Sequence, residues 1–345
     1  MREGVPIANY HKRYMPIGLA FVGEINMFRF LKNHIYPIGM DIGYDSLKLV
    51  QLGNNGKGIS LIAGGSKNRP AHVEPGSANW QKWAIEAIRE LSNCGKFRGR
   101  EVIATIPANE VFIEHIKMPK IKEEPGSDDK LQDALLPKIK QKLPFEPDDA
   151  MIKYIPAEED NVLVIAAERK KIDRHLAIYE KAQLAIKSIT VWPTALANSY
   201  AEFFGRRKTD IEAIVMLLDI EVNCTNVVIC RAKTPLFARS IPIGASQLGA
   251  SQAADETMTR LILELTGCRR QFSSMHRKAQ AERLIFLSGR AVDKGICTTI
   301  AKQLEMPAQM GDCLAAVEMV SPYDSGIDRR GCQINWATAF GLGLS

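Results

Sequence analysis

The sequence predicts an α/β protein of two related lobes, and three observations predict it. The first is a stretch, Ile38 to Val50, in which an apolar run meets Asp41, then a tight polar turn, then alternating apolar residues. The second is its near-copy from Val215 to Ile229, with Asp219 in the place of Asp41. Each reads as a strand, a hairpin turn and a second strand. The third is length: 345 residues exceed what one compact core usually holds, so two or three lobes are expected. Two such hairpins facing each other across a cleft suit a polyphosphate. Their turn amides donate hydrogen bonds from both sides, and their aspartates hold a hydrated magnesium ion.

Along the chain, Val50 to Leu52 and Ile59 to Ala63 continue the first hairpin around a Gly- and Asn-rich turn. In the segment 79–91, Trp80, Trp83, Ala84, Ala87, Ile88 and Leu91 recur at helical spacing, with Ser77 or Asn79 as cap. Glu101 to Pro107 and Val111 to Pro119 read as extended segments. Lys120 to Lys130 reads as a charged loop containing Pro125 and Gly126, and the helix after it closes on Leu143-Pro144-Phe145. Asp148 to Pro156 and Asn161 to Ala167 read as strands, Arg169 to Gln183 as a helix, and Ile189 to Val191 as a strand leading into another helix. Gly205-Arg206-Arg207-Lys208 reads as a solvated linker. Beyond the second hairpin, Thr234 to Ile243 is expected to be a strand and Gly244 to Thr266 a helix. The basic run from Arg269-Arg270 to His276-Arg277-Lys278 is expected to be an exposed connection.

Two further elements complete the pattern. Leu284 to Ala291 is a buried-type strand ending in Ser288-Gly289-Arg290, with a helical pattern from Val292 to Glu305 behind it. Trp336 to Leu344 is a helix of small residues with glycine at its end. In this order the four elements resemble the actin-like ATPase superfamily, two ribonuclease-H-like lobes with a small α+β subdomain inserted in the first. The resemblance implies a first phosphate loop with Asp41, Gly43, Tyr44, Ser46 and Lys48. It implies a second with Asp219 and Thr225, and an adenosine loop with Ser288, Gly289 and Arg290. ATP and magnesium are the implied ligands, with Asp41 and Asp219 organising the metal.

The middle of the chain resembles the inserted subdomain of the PilM family, where a helix closing on a Pro-Phe pair precedes two strands and a helix. FtsA, the nearest rival, typically ends in an amphipathic membrane helix that has no counterpart before Leu344-Ser345. The PilM resemblance implies a type IV pilus assembly adaptor at the inner face of the inner membrane, receiving the cytoplasmic tail of a PilN-like protein. The adaptor of a type II secretion system would look similar. On this reading residues 1–36 are a leading extension, 37–109 the first lobe, 110–188 the insertion, and 189–345 the second lobe with its return helix.

Composition agrees with a globular protein, 46% hydrophobic and 24% charged. A dispersed net charge of +6 gives no nucleic-acid footprint. Seven irregularly spaced cysteines fit reduced thiols in a cytoplasm. The apolar run Met15 to Gly23 is broken by Glu24 and too short to span a bilayer. Translation is expected to begin at Met27, and Phe28, Leu31 and Ile35 follow at helical spacing.

Three departures mark the cleft. Glu221 stands where relatives carry glycine, Arg290 where a second glycine is usual, and Tyr44 where a small hydroxyl residue is common. Two like charges about 4 Å apart repel by roughly 4 kcal/mol at an effective dielectric near 20, about a thousandfold in affinity. These departures argue against hydrolysis, and no residue stands out as a general base.

Overall fold

The computed structural model describes residues 34–56, 58–118, 127–249, 254–277, 279–319, 327 and 334–345. The expected start at Met27, and Phe28 and Leu31, lie outside them, whereas Ile35 lies in a strand rather than a helix. β1 (His34–Ile42) and β2 (Ser46–Asn54) form the first hairpin, and β3 (Ile59–Asn68) extends it. α1 (Ala78–Cys94) follows, its first turn capped by Ser77, whose hydroxyl accepts the Trp80 N–H. It leads to β4 (Glu101–Thr105), parallel to β1. β5 (Val111–Lys117), α2 (Ser127–Lys140), β6 (Ala150–Pro156) and β7 (Asn161–Glu168) then build a separate sheet ordered β5-β7-β6. Ser127 to Lys130, expected in the charged loop, open α2 instead.

α3 (Arg169–Lys181) returns the chain to β8 (Ala185–Thr190), and α4 (Trp192–Phe203) and α5 (Lys208–Glu212) carry it onward. The second sheet contains β9 (Ile214–Ile220), β10 (Thr225–Arg231) and β11 (Thr234–Ile241), followed by α6 (Ala254–Met275), β12 (Arg283–Phe286), α7 (Lys294–Gln303) and β13 (Ala308–Met310). α8 (Cys313–Ala316), β14 (Glu318–Met319) and α9 (Ala337–Gly343) come last. The sheets read β14-β3-β2-β1-β4-β8 and β11-β10-β9-β12-β13. Apart from the added edge strand β14, each is an antiparallel three-stranded meander whose first strand pairs parallel with a fourth, and the fourth with a fifth.

α4 and α9 lie between the sheets, and alternation along the strands sorts side chains to either face. Val215 and Leu217 of β9 join Leu196, Tyr200, Ala339 and Phe340 of these helices, while Met216 and Leu218 turn to Leu261, Leu265 and Phe272 of α6. Each such fully buried Val, Leu, Met or Phe side chain contributes roughly 1.5–3 kcal/mol. Trp80, Ala84 and Ile88 of α1 and Ile178 and Tyr179 of α3 cover the far face of the first sheet.

One expectation needs correction. The helix expected at Gly244 starts at Ala254 and runs on through the supposed exposed basic connection to Met275. Leu261, Leu265, Cys268 and Phe272 keep one apolar stripe along it, and His276 just beyond is fully buried. The basic linker at 205–208 is exposed at Arg206, Arg207 and Lys208, as expected, and leads into α5, where buried Asp210 accepts from Arg283 at 2.6 Å.

The inserted sheet docks on the second through a histidine. The His115 ring stacks on Phe237 at 4.4 Å, and its Nε2 accepts the Ala238 N–H at 3.2 Å. Beside it, Asn161 Nδ2 donates to the Met275 carbonyl at 3.2 Å, and Arg231 Nη2 donates to Glu158 at 3.2 Å. Burial, with His276 and Arg239 nearby, holds the His115 pKa down to about 4 from 6.5. A depressed base stabilises the fold above its unfolded pKa, and that contribution is lost as pH falls toward the folded one. The part of the stability that His115 supplies is therefore expected to be lost between pH 6.5 and pH 4. In His115→Gln, whose amide oxygen accepts the same N–H without titrating, urea midpoints should fall less across that window. An identical fall in both proteins would exclude His115 as its source.

Candidate functional site

The two hairpins share one strand register and one turn hydrogen bond. Asp41 of β1 sits opposite Lys48 of β2, and Asp219 of β9 opposite Asn226 of β10. In the first turn the Gly43 N–H donates to the Ser46 carbonyl at 2.9 Å, and in the second the Glu221 N–H donates to the Cys224 carbonyl at 2.8 Å. Glu221 therefore occupies the turn position that Gly43 holds in the first lobe. A third segment clamps each turn: Arg69 N–H donates to the Asp45 carbonyl at 2.7 Å, and Ala245 N–H to the Glu221 carbonyl at 2.8 Å. Gly244 is required there, because a Cβ on it would lie 2.5 Å from the Asn223 and Cys224 nitrogens.

Three of the expected site residues converge. Lys48 Nζ, buried, donates to Asp41 Oδ2 at 3.1 Å and lies 3.6 Å from Glu221 Oε1 across the cleft. Asp219, also buried, accepts from Asn226 Nδ2 at 2.9 Å and from Asn335 Nδ2. Asn335 Nδ2 also donates to Glu221 Oε1 at 3.3 Å, while Asn335 Oδ1 accepts the Ala337 N–H at 3.1 Å at the start of α9. Sequence reasoning missed Asn335. Its one local signal is an asparagine just ahead of a small-residue helix, a capping preference.

Charge balance follows from this geometry. Burial works against charge on Lys48, but the Glu221, Asp41 and Asp45 carboxylates outweigh it and hold the ammonium well above the usual lysine range. Burial raises Asp219, against the pull of its amide donors and Lys48. Burial also pushes Glu221 up to about 8, with Lys48 opposing and the Asp219 and Asp41 carboxylates reinforcing.

The remaining expected residues serve their own lobes. Ser46 is buried, its Oγ 3.4 Å from Asp45 Oδ1, and Gly43 spends its N–H within the turn. Tyr44 is 41% exposed, its ring under the Arg69 guanidinium at 4.9 Å and its carbonyl accepting from Arg69 Nε at 2.6 Å. Thr225 Oγ1 donates to the Ile243 carbonyl at 2.7 Å, and Ser288 Oγ accepts the Ile220 N–H at 2.7 Å. Gly289 takes a positive φ of 58°, and Arg290 lies 3.7 Å from Asp312.

The model of the type IV pilus assembly protein PilM family matches residues 39–260, from the first hairpin through the inserted sheet and into α6. The chain belongs to the PilM family. No curated protein matches the sequence. Among solved structures, the chain is similar to that of the PilM-PilN type IV pilus biogenesis complex. Identity is 20%, coverage is 90% of this chain and 98% of that one, and the TM-score is 0.73. It is also similar to ethanolamine utilization protein EutJ from Carboxydothermus hydrogenoformans, 14% identical over 90% of this chain and 89% of that one, TM-score 0.47. A Bacteroides thetaiotaomicron protein with an actin-like ATPase fold is 9% identical over 86% of this chain and 96% of that one, TM-score 0.46. The fold of this PilM-family chain is that of the solved PilM-PilN structure.

The resemblance of the two hairpins to phosphate loops implies a magnesium nucleotide between the lobes. The donors here do not fit one as they stand. Lys48 is held by two carboxylates, the Thr225 hydroxyl is tied to a backbone carbonyl of its own lobe, and the Ser288 oxygen accepts a backbone N–H there. Three carboxylates face one ammonium, which disfavours a bare polyphosphate. Among the described residues, no group of three or more His, Cys, Asp or Glu is arranged to hold a metal ion.

Proposed function

We propose that this PilM-family chain is a non-catalytic adaptor of the type IV pilus inner-membrane platform, docking on the cytoplasmic tail of a PilN-like membrane protein. The observation that carries the reading is the family match, which spans the whole inserted sheet. Both outer strands of that sheet, β5 and β6, are edges within it, and β6 is half-buried along most of its length. Such an edge suits an extended peptide added by main-chain hydrogen bonds. Leu143 packs under the sheet beside Ile139, so the turn that follows α2 and runs to Pro144 and Phe145 shapes the end of this subdomain. Among the described residues no helix is long and apolar enough to cross a membrane, and the reading places the chain at the inner face of the inner membrane through its partner. ATP with magnesium enters the reading only as a ligand of a cleft in which Glu221 has left Lys48.

The test is fluorescence anisotropy with a labelled peptide of the PilN-like tail from the same organism. Saturable micromolar binding is expected. Absence of binding to a folded, monodisperse protein would reject the adaptor role. Magnesium-dependent ATP turnover that disappears in Asp219→Ala would instead make the chain an active ATPase.

A further inference from the structure

We infer that Glu221 is the residue that decides what the interlobe cleft accepts: its side chain occupies Lys48 from within the chain, latching the lobes and excluding an outside polyphosphate. The inference rests on the reading of the cleft as an anion site, and it starts from the hairpin repeat. In the first lobe the turn position is Gly43, and a Cβ built there would lie 3.9 Å from Lys48 Nζ. The turn position of one lobe thus already borders the ammonium. In the second lobe the equivalent position carries a carboxylate, whose Oε1 lies 3.6 Å from that ammonium across the cleft.

Two groups hold the latch closed. Lys48 reaches it from β2, and Asn335 Nδ2 reaches it at 3.3 Å from the entrance to α9. The same Asn335 nitrogen serves Asp219, so Glu221 is tied into the buried network of its own hairpin. A phosphate arriving at Lys48 must displace this carboxylate and also approach Asp41 and Asp219 closely. Specificity here comes from a repulsive element, a glycine replaced by an acidic residue at a backbone turn.

The experiment is calorimetric titration of the full chain with two probes, magnesium ATP and inorganic tripolyphosphate. At pH 9, where Glu221 is ionised, the unmodified protein is compared with Glu221→Gly, which restores the turn residue of the first lobe, and with Glu221→Gln, which keeps the bulk and removes the charge. Glu221→Gly is expected to bind at least tenfold more tightly than the unmodified protein, and Lys48→Met added to it should erase the gain. A gain with tripolyphosphate but not with ATP supports the latch and rejects the nucleotide reading. ATP binding that is equal in the unmodified protein and in both variants rejects the latch and leaves the nucleotide reading standing. With every variant folded by circular dichroism, no gain for either probe overturns the latch.

Discussion

Gly341→Val is expected to lower the stability of the chain by at least about 3 kcal/mol, the upper end of what overpacking costs. Even the first added carbon has no room. A Cβ on Gly341 would lie 1.8 Å from the Ala195 carbonyl oxygen of α4 and 2.5 Å from its carbon. Overpacked side chains usually relax by a small shift of their element, but α9 has nowhere to go. On its other side a Cβ at Gly39 of β1 would lie 2.1 Å from the Ala339 oxygen and 2.4 Å from the Gly343 nitrogen, so the backbone of α9 is seated between strand and helix. Ser199 Oγ, donating to the Ala337 carbonyl at 2.6 Å, fixes the same crossing. The thermal midpoint should fall by about 5 °C or more, given roughly 2 °C per kcal/mol in chains of this size. Gly267→Ala is the matched control. It lies inside α6, where an added Cβ would meet nothing within 4 Å, and it should gain about 1 kcal/mol from helix propensity. A Gly341→Val protein that melts within about 1 °C of the unmodified chain would show that α9 is not wedged.

The parts of the fold that were legible in the sequence are those whose signal is local. Both hairpins could be read because an aspartate, a polar turn and alternating apolar residues lie within about fifteen positions of one another. The α1 stripe was legible for the same reason. β13 and β14 were not, since strands as short as Ala308–Met310 and Glu318–Met319 are too brief to display alternation. The segment following Gly244 was misread as helix because its task is long-range: it clamps the turn of the second hairpin through Ala245 and Ser246.

In the cleft the residue types were visible and the pairings were not. Glu221 could be recognised as a departure from glycine, and its repulsion of phosphate argued from charge alone. That its side chain meets Lys48 depends on how the two lobes face each other, which no window of sequence contains. Asn335 is harder still, lying 116 positions from Asp219 with no motif around it. Its role exists only because α9 begins at the floor of the cleft.

Lys48→Met should cost about 3–5 kcal/mol at pH 8, because removing one partner of a buried ion pair leaves the other charges uncompensated. The side chain is only 2% exposed, and its ammonium is the cation that Asp41 and Glu221 share. The loss should shrink at lower pH, and the sign follows from the carboxylates. Glu221 is raised to about 8 from 4.5, so its folded form holds a proton that the unfolded chain releases, and this contribution fades as pH climbs through that window. Without the ammonium, Glu221 is pushed higher still. At pH 5 Glu221 is protonated and leaves no charge behind, whereas at pH 8, where it is already ionising in the unmodified protein, the penalty has set in and grows as pH climbs further. Lys48 itself supplies no opposing trend, since a raised lysine keeps its full contribution below 10.5. Urea midpoints of both proteins at pH 5 and pH 8 give the comparison. Adding Glu221→Gln should recover about 1–2 kcal/mol at pH 8 and less at pH 5, as expected for residues in one network. A Lys48→Met loss that is equal at the two pH values would mean that the ammonium contributes packing here rather than charge neutralisation.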